Sequence, residues 1–520
     1  MSVIVRAILI SSAVMNSVAQ AQAFEPAYPP TGQEPRVQPE GKAEVPPDNV
    51  ETFLRREMQR RQIPGLQIAV VHHGKIVLRG AYGVANLEHS VPVTNRTIFP
   101  VHSITKAFTG VAVMQLVEAG KLDLSAPLSR YLDDLPKDWQ SVTVHELLIH
   151  TSGIPDIWDD TARLIASDGD KAWAKVKTLP VDFAPGAKFK YNQTNYILLG
   201  KIVDKIGGEP FTDFIKKKQF DIASMARTGF GDSNDVVPEI SGSYRYFRVV
   251  DGKREPLDRP EHCLLDWPPM IRTAVGINTT AEDLANWIIT LQQGRLLKAK
   301  TSLPTLWAPG KLKDGKPSLS GNHINGYALG WPIVTRPEHR AIASTGGGRA
   351  ALFIYPDDDL SIVILTNLIG ADPQSFIDEV AGYFVPSMHA STGFGLPSEI
   401  KAFRAELIKR GFDHTQDVAA GLKTKDGKPQ LQENDLNNWA YKLMDLGQVK
   451  NAIEIFKLNV HLYPQSWNTY DSLAEGYEAL GDKASAIKNF KRSLELNPKN
   501  SNATEHLKKL EASSPKAEAK

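Results

Sequence analysis

Residues 99–124 read FPVHSITKAFTGVAVMQLVEAGKLDL, and this stretch decides the fold. After Phe99-Pro100-Val101-His102, an apolar run without proline continues to Ala119, and Gly120 supplies a stop. The spacing predicts a long helix over 103–119. Ser103 and Lys106 stand three apart at its start, so the amine lies beside the hydroxyl on one helix face. The positive end of the helix favours negative charge on the serine oxygen. An unassisted hydroxyl is a weak nucleophile, and a neighbouring proton-handling group is what activates it.

Outward from this helix, the chain alternates helices with strands. Residues 48–62 suit a helix, with Asp48 as its cap and Val50, Phe53, Leu54 and Met58 on one side. Leu66–Val71 and Ile76–Tyr82 read as two strands joined across His72-His73-Gly74-Lys75. Leu352–Asn367 reads as a second hairpin turning at Pro356-Asp357-Asp358-Asp359, and Phe376–Phe384 reads as a helix. Strands at both ends with helices between them imply one sheet closed by distant segments, an α/β or α+β domain.

Four more stretches accompany the first: VTVHELLIHTSGIP (142–155), FAPGAKFKYNQTNYILLGKIV (183–203), AVGINTTAEDLANW (274–287) and YALGW (327–331). Together the five resemble the class C β-lactamase-like, penicillin-binding-protein-like serine hydrolases, from about residue 50 to about residue 385. The resemblance implies a sandwich of antiparallel sheet and helices with a helical insert, the active site lying between them. It makes Ser103 the nucleophile, Lys106 its proton-handling partner and Tyr191 a general base and acid. A phenol beside a cation loses its proton more easily, which is the expectation for Tyr191. The backbone N–H groups of Ser103 and Gly347 would form the oxyanion hole.

The sequence departs from the family twice. The second motif, usually Tyr-x-Asn, reads Tyr191-Asn192-Gln193. Gln193 keeps the amide one methylene further out, and Asn192 is the alternative source of it. The third motif usually opens with Lys or His but reads Ser344-Thr345-Gly346. A cation that would meet a substrate carboxylate is missing, and Arg349 is the nearby candidate to replace it, although a guanidinium differs in shape from an amine. Asn192, Gln193, Ser344, Thr345, Gly346 and Arg349 are accordingly the expected substrate-binding set.

Other residues read as structural. His150 in His150-Thr151-Ser152-Gly153 suits a hydrogen-bonding role near the site, and Asp283 suits helix-start chemistry. Gly346-Gly347-Gly348 lacks the Lys-Ser/Thr that follows a phosphate loop and reads as a close strand approach. Cys263, the single cysteine, cannot form an intramolecular disulfide. The thirteen histidines show no metal-ligand spacing, and no metal or organic cofactor is implied.

The flanks carry separate signals. Arg6, the apolar residues Ala7-Ile8-Leu9-Ile10 and Ala13-Val14-Met15, and Ala21-Gln22-Ala23 fit a signal peptide over 1–23. A Pro-rich linker follows over 24–47, then the hydrolase domain over 48–390 and a linker over 391–430 with a polar stretch at Thr424–Lys428. Over 431–512, Leu446-Gly447 and Leu480-Gly481 lie 34 apart (480 − 446), as do Ala452 and Ala486, Phe456 and Phe490, and Pro464 and Pro498. That period is similar to a tetratricopeptide module, an all-α unit closed by a helix over Ala503–Leu510.

Lys+Arg 60 against Asp+Glu 59 leaves a net charge of +1, which provides no field to hold nucleic acid. No stretch of the mature chain is apolar enough to span a membrane. The expectation is an exported protein, periplasmic or secreted. It would cleave a small ester or amide (a β-lactam, a D-Ala-D-Ala peptide or a carboxylic ester) through a Ser103 acyl-enzyme. The alternative is an inactive or weakly active hydrolase-like binding or scaffold protein that engages a protein partner through its repeats.

Overall fold

A computed structural model describes residues 49–159, 163–250, 253–263, 267–321, 323–422 and 431–512. The segments read above as signal peptide (1–23) and Pro-rich linker (24–47), and the stretch Thr424–Lys428, lie outside the described residues.

The central sheet has eight strands: β1 (Gly65–His72), β2 (Lys75–Asn86), β3 (Val91–Pro92), β4 (Gly326–Tyr327), β5 (Pro332–Val334), β6 (Ala341–Gly346), β7 (Ala350–Tyr355) and β8 (Leu360–Thr366). Their order is β3-β2-β1-β8-β7-β6-β5-β4, with every pairing antiparallel. The N-terminal hairpin joins the C-terminal one through β1 and β8, where Leu66 faces Thr366 and Val70 faces Ile362. β7 and β8 are buried along their whole length. Successive side chains of a strand leave on opposite faces, and here both faces meet apolar partners. Leu352, Ile354, Val363 and Leu365 join one core, while Phe353, Tyr355, Ile362 and Ile364 join the other. Each such side chain contributes about 1.5–3 kcal/mol on burial.

Helix α1 (Val50–Arg60) covers the second core with Phe53, Leu54 and Met58. Asn49 caps it, its side chain accepting the Thr52 N–H at 2.9 Å, rather than Asp48, which lies outside the described residues. The first core is covered by α2 (Thr105–Glu118), α3 (Gln193–Gly207) and α4 (Ala281–Gln292). Phe108 of α2 stacks on Trp287 of α4 with ring centroids 3.8 Å apart. α2 is buried almost all round, so its polar residues Lys106 and Thr109 require partners inside the protein. The helix expected over 103–119 begins two residues later, because His102–Ile104 form a tighter 3₁₀ turn ahead of it. The helix expected over Phe376–Phe384 is shorter, Ile377–Ala381, behind a 3₁₀ turn opened by Pro373.

The stretch expected to be a linker over 391–430 holds α5 (Ser398–Arg410) and α6 (Thr415–Ala420). Ile400, Phe403 and Leu407 form an apolar stripe at helical spacing. They pack with Leu436, Trp439, Ile453 and Phe456 of the helices that follow. Those helices are α7 (Glu433–Asp445), α8 (Val449–Leu462), α9 (Trp467–Leu480), α10 (Lys483–Leu496) and α11 (Ser501–Ala512). Their starts repeat at intervals of 34, as in 467 − 433 and 483 − 449. Ala474, Ala486, Phe490 and Ala503 share one buried cluster, small residues letting neighbouring helices close on a single ring. Among the described residues, no helix is long and apolar enough to cross a membrane.

Candidate active site

Ser103 is held from two sides. Upstream, Phe99–Pro100 pairs with Ile277–Thr279, and the Val101 N–H donates to the Ile277 carbonyl at 3.0 Å. His102 then adopts a left-handed φ of 48°, which turns the chain into the 3₁₀ turn bearing Ser103. From the other side the end of β6 presses in. A Cβ on Gly346 would stand 1.9 Å from the Val101 carbonyl oxygen, and one on Gly347, whose φ is 56°, would stand 2.2 Å from His102 Nδ1. Only glycine allows this approach.

Lys106 is 1% exposed. Its Nζ donates to Ser103 Oγ at 3.1 Å, to Gln193 Oε1 at 2.8 Å and to the Ala274 carbonyl at 3.1 Å. Burial pulls its pKa from the ordinary 10.5 to about 7, with Asp156 pulling the other way. The amine therefore exists in both forms near neutral pH.

The Tyr191 side chain is hydrogen-bonded to Ser103, and Lys106 Nζ lies 4.8 Å from its ring centroid. The expectation that its phenol loses a proton more easily is not met. Desolvation drives its pKa up, the Ser103 hydrogen bond opposing this only in part and Asp156 adding to the rise. The Tyr191 residue is 39% open to solvent, whereas Tyr196 and Tyr327 are enclosed, and desolvation raises the pKa of all three phenols.

The two candidate amides separate cleanly. Asn192 is the N-cap of α3: its Oδ1 accepts the Asn195 N–H at 3.0 Å and its Nδ2 donates to the Ile154 carbonyl at 2.5 Å. The Asn192 amide is thus committed at both ends to the helix start and to Ile154, and Asn192 is not among the residues lining the cavity beside Ser103. Gln193, the first residue of the helix, supplies the amide that meets Lys106.

Ser344, Thr345 and Gly347 line a cavity of about 230 Å³ with Ser103, Tyr191, Tyr327, Gly330 and Pro332. Among the described residues no charged side chain lines it. Arg349 does not replace the missing cation. It is 1% exposed, its Nε donating to the Thr366 carbonyl at 3.1 Å and its Nη1 to Ser243 Oγ at 2.8 Å. These bonds hold the guanidinium away from the cavity.

His150 is fully buried, and its Nδ1 accepts the Asn192 N–H at 3.2 Å. That leaves Nε2 to donate to Tyr327 Oη, also at 3.2 Å. Asp283 accepts the Arg227 N–H and the Thr228 hydroxyl at the start of α4, which Thr280 caps. Cys263 is a buried free thiol whose pKa burial raises. No group of His, Cys, Asp and Glu among the described residues is arranged to hold a metal ion.

Sequence reasoning missed Asp156 and Tyr327. Tyr327 opens YALGW, a motif noted without a role for its first residue. Asp156 directly follows HTSGIP, and nothing local distinguishes it from a loop carboxylate.

Residues 50–379 match the family described as Beta-lactamase. "Protein flp" of Staphylococcus aureus (strain MRSA252) is 27% identical over 329 residues, covering 61% of this chain and 62% of its own length. This chain thus spans less than two thirds of that relative. Among solved structures, the octameric penicillin-binding protein homologue from Pyrococcus abyssi has a TM-score of 0.55 at 23% identity, covering 68% of this chain and 80% of its own. The D-amino acid amidase from Ochrobactrum anthropi SV3 has a TM-score of 0.55 at 20% identity, covering 65% of this chain and 98% of its own. These two likenesses are of fold. With the family match extending over well more than half of its 520 residues, the chain belongs to the beta-lactamase family, whose members are serine hydrolases.

Proposed function

We propose that this chain cleaves a small ester or amide through an acyl-enzyme on Ser103. The observation that carries the reading is the Lys106 amine, 3.1 Å from Ser103 Oγ and with a pKa of about 7. Neutral Lys106 takes the Ser103 proton as Oγ bonds to the substrate carbonyl carbon. The oxyanion so formed meets the backbone N–H groups of Ser103 and Gly347, a type of contact in which one donor is worth about 10²–10³ in rate. Collapse breaks the bond to the leaving nitrogen or oxygen. That atom takes the proton from Lys106 through the Tyr191 hydroxyl, and the acyl group stays on Ser103. Water then attacks the acyl carbonyl, its proton passes back through the same pair, and the carboxylic acid leaves with Ser103 restored.

The uncharged cavity, with Ser344 where the family carries Lys or His, favours substrates without an essential carboxylate. Amides enter the class because a relative of this fold is a D-amino acid amidase; β-lactams and D-Ala-D-Ala peptides enter through the family. We extend the proposal to the flanks. The 34-residue period supports tetratricopeptide repeats over 431–512 that engage a protein partner, and Arg6 with its apolar run supports export.

The test is intact mass and turnover of the chain lacking residues 1–23, exposed separately to a penicillin and to a simple aryl ester, with Ser103→Ala alongside. Ester turnover lost in Ser103→Ala is the expected result. A Ser103-dependent penicillin adduct would show that β-lactams bind without a cation at 344. No Ser103-dependent chemistry with either would overturn the reading in favour of a binding protein.

A further inference from the structure

The loop that follows His150 carries a carboxylate that no step above uses. Asp156 Oδ1 accepts the backbone N–H of Gln193 at 3.0 Å and that of Trp158 at 3.3 Å. Gln193 opens α3, where backbone N–H groups lack helical partners and favour an anion. The side chain of the same Gln193 accepts Lys106 Nζ, and Lys106 in turn reaches Ser103 Oγ. One carboxylate therefore fastens the helix start that presents the amide to the amine.

Capping alone does not exhaust what this charge does. Lys106 faces the rings of Tyr191 at 4.8 Å and Tyr196 at 5.3 Å, the Gln193 amide, the Ala274 carbonyl, and the imidazoles of His102 and His150. Burial keeps both imidazoles neutral and both phenols protonated. Asp156 is the carboxylate whose charge raises the pKa of Lys106 against the pull of burial, while burial raises its own pKa and the Gln193 and Trp158 N–H groups and Lys106 oppose that rise.

We propose that Asp156 is a positioning residue, fastening Gln193 and keeping Lys106 able to hold a proton beside Ser103. This rests on the acyl-enzyme reading above. Asp156→Asn keeps an oxygen for the Gln193 and Trp158 N–H groups while removing the charge, so the helix start is retained. The measurement is the pH profile of kcat/KM for the aryl ester, with circular dichroism to confirm folding.

In Asp156→Asn the limb governed by Lys106 is expected to move down by about one pH unit, the lower end of what a neighbouring opposite charge confers. Asp156→Glu, which restores the charge, should return the limb toward its wild-type position. Asp156→Ser is the second neutral variant, should Asn not accumulate as folded protein. A folded neutral variant with the wild-type limb, or a Glu variant displaced as far as Asn, overturns the inference. Absence of Ser103-dependent turnover in the wild type overturns the underlying reading instead, so the two failures are told apart.

Discussion

Lys106 and Arg349 are both cations and both 1% exposed, the lysine on the helix that follows Ser103 and the arginine in the turn between β6 and β7. Burial acts on them in the same direction, yet it leaves them in different chemical states. The amine comes down to about 7 and the guanidinium only to about 10. Their partners differ as well. Lys106 gives its hydrogens to Ser103, Gln193 and Ala274, two of which belong to the site, whereas Arg349 donates to the Thr366 carbonyl at the end of β8 and to Ser243. A proton carrier has to cross neutrality and touch the reacting oxygen. Of the two cations, only the lysine does both, and an arginine could not be moved into that range by burial of this kind.

The largest expected effect breaks this comparison if it fails. Lys106→Met should lower kcat/KM for the aryl ester by about 10²–10⁴-fold, the range for a lost proton-transfer group. Arg349→Met should leave it within about tenfold, because the guanidinium does not reach the cavity. Equal collapse in a folded Arg349→Met protein would mean that its charge is felt at the reacting oxygen after all. Next in size is Gly347→Ala. Its Cβ would stand 2.2 Å from His102 Nδ1 at a φ of 56°. The loop must shift, and steady-state kinetics should show kcat down by about 10²-fold, the loss expected for the oxyanion donor proposed at Gly347.

How much of this was legible in the sequence follows from the range over which each feature is decided. Ser103 and Lys106 are three apart on one helix, so their pairing is local and could be read directly. The two hairpins were legible for the same reason, each being a pair of apolar runs around a turn. The choice between Asn192 and Gln193 was not, because adjacent residues exchange roles when a helix start moves by one position. The sign of the Tyr191 shift depends on desolvation by distant elements, which sequence spacing does not contain. Asp156 meets Gln193 across 37 residues. The helices at Ser398–Arg410 and Thr415–Ala420 were missed for a different reason: the stretch expected as linker was read from the polar Thr424–Lys428, while the Ile400-Phe403-Leu407 stripe finds its partners only in helices further along the chain.

Stability should respond to pH through Lys106 as well. Lys106 binds its proton more weakly when folded, about 7, than at the ordinary 10.5 it regains on unfolding. Between those values the unfolded chain holds the extra proton, so the lysine's contribution makes stability rise with pH across that window. Below about 7 both states are protonated and the cost of burying the charge is fully present. Lys106→Met should therefore melt higher than wild type at pH 6 while being inactive, with the gap closing toward pH 10. Between about pH 6 and about pH 8, well below its folded pKa of about 10, Arg349 stays charged, so over that part of the scan Arg349→Met should change the melting temperature without altering its slope against pH. Differential scanning fluorimetry at several pH values measures both.

The smallest effect concerns the position where the family's cation is absent. Ser344 lines the cavity at the strand end, and none of the described side chains around it is charged. Ser344→Lys would place an amine where a substrate carboxylate could meet it, a charge-assisted hydrogen bond worth about 1.5–3 kcal/mol. KM for a carboxylate-bearing ester should fall by about tenfold, while KM for its neutral methyl ester stays within about twofold. A parallel fall for both esters would mean that the lysine reshapes the cavity rather than pairing with the carboxylate. Selective improvement would sharpen the contrast drawn from Lys106 and Arg349, since a cation contributes to this chemistry only where its charged end reaches Ser103 or the substrate bound beside it.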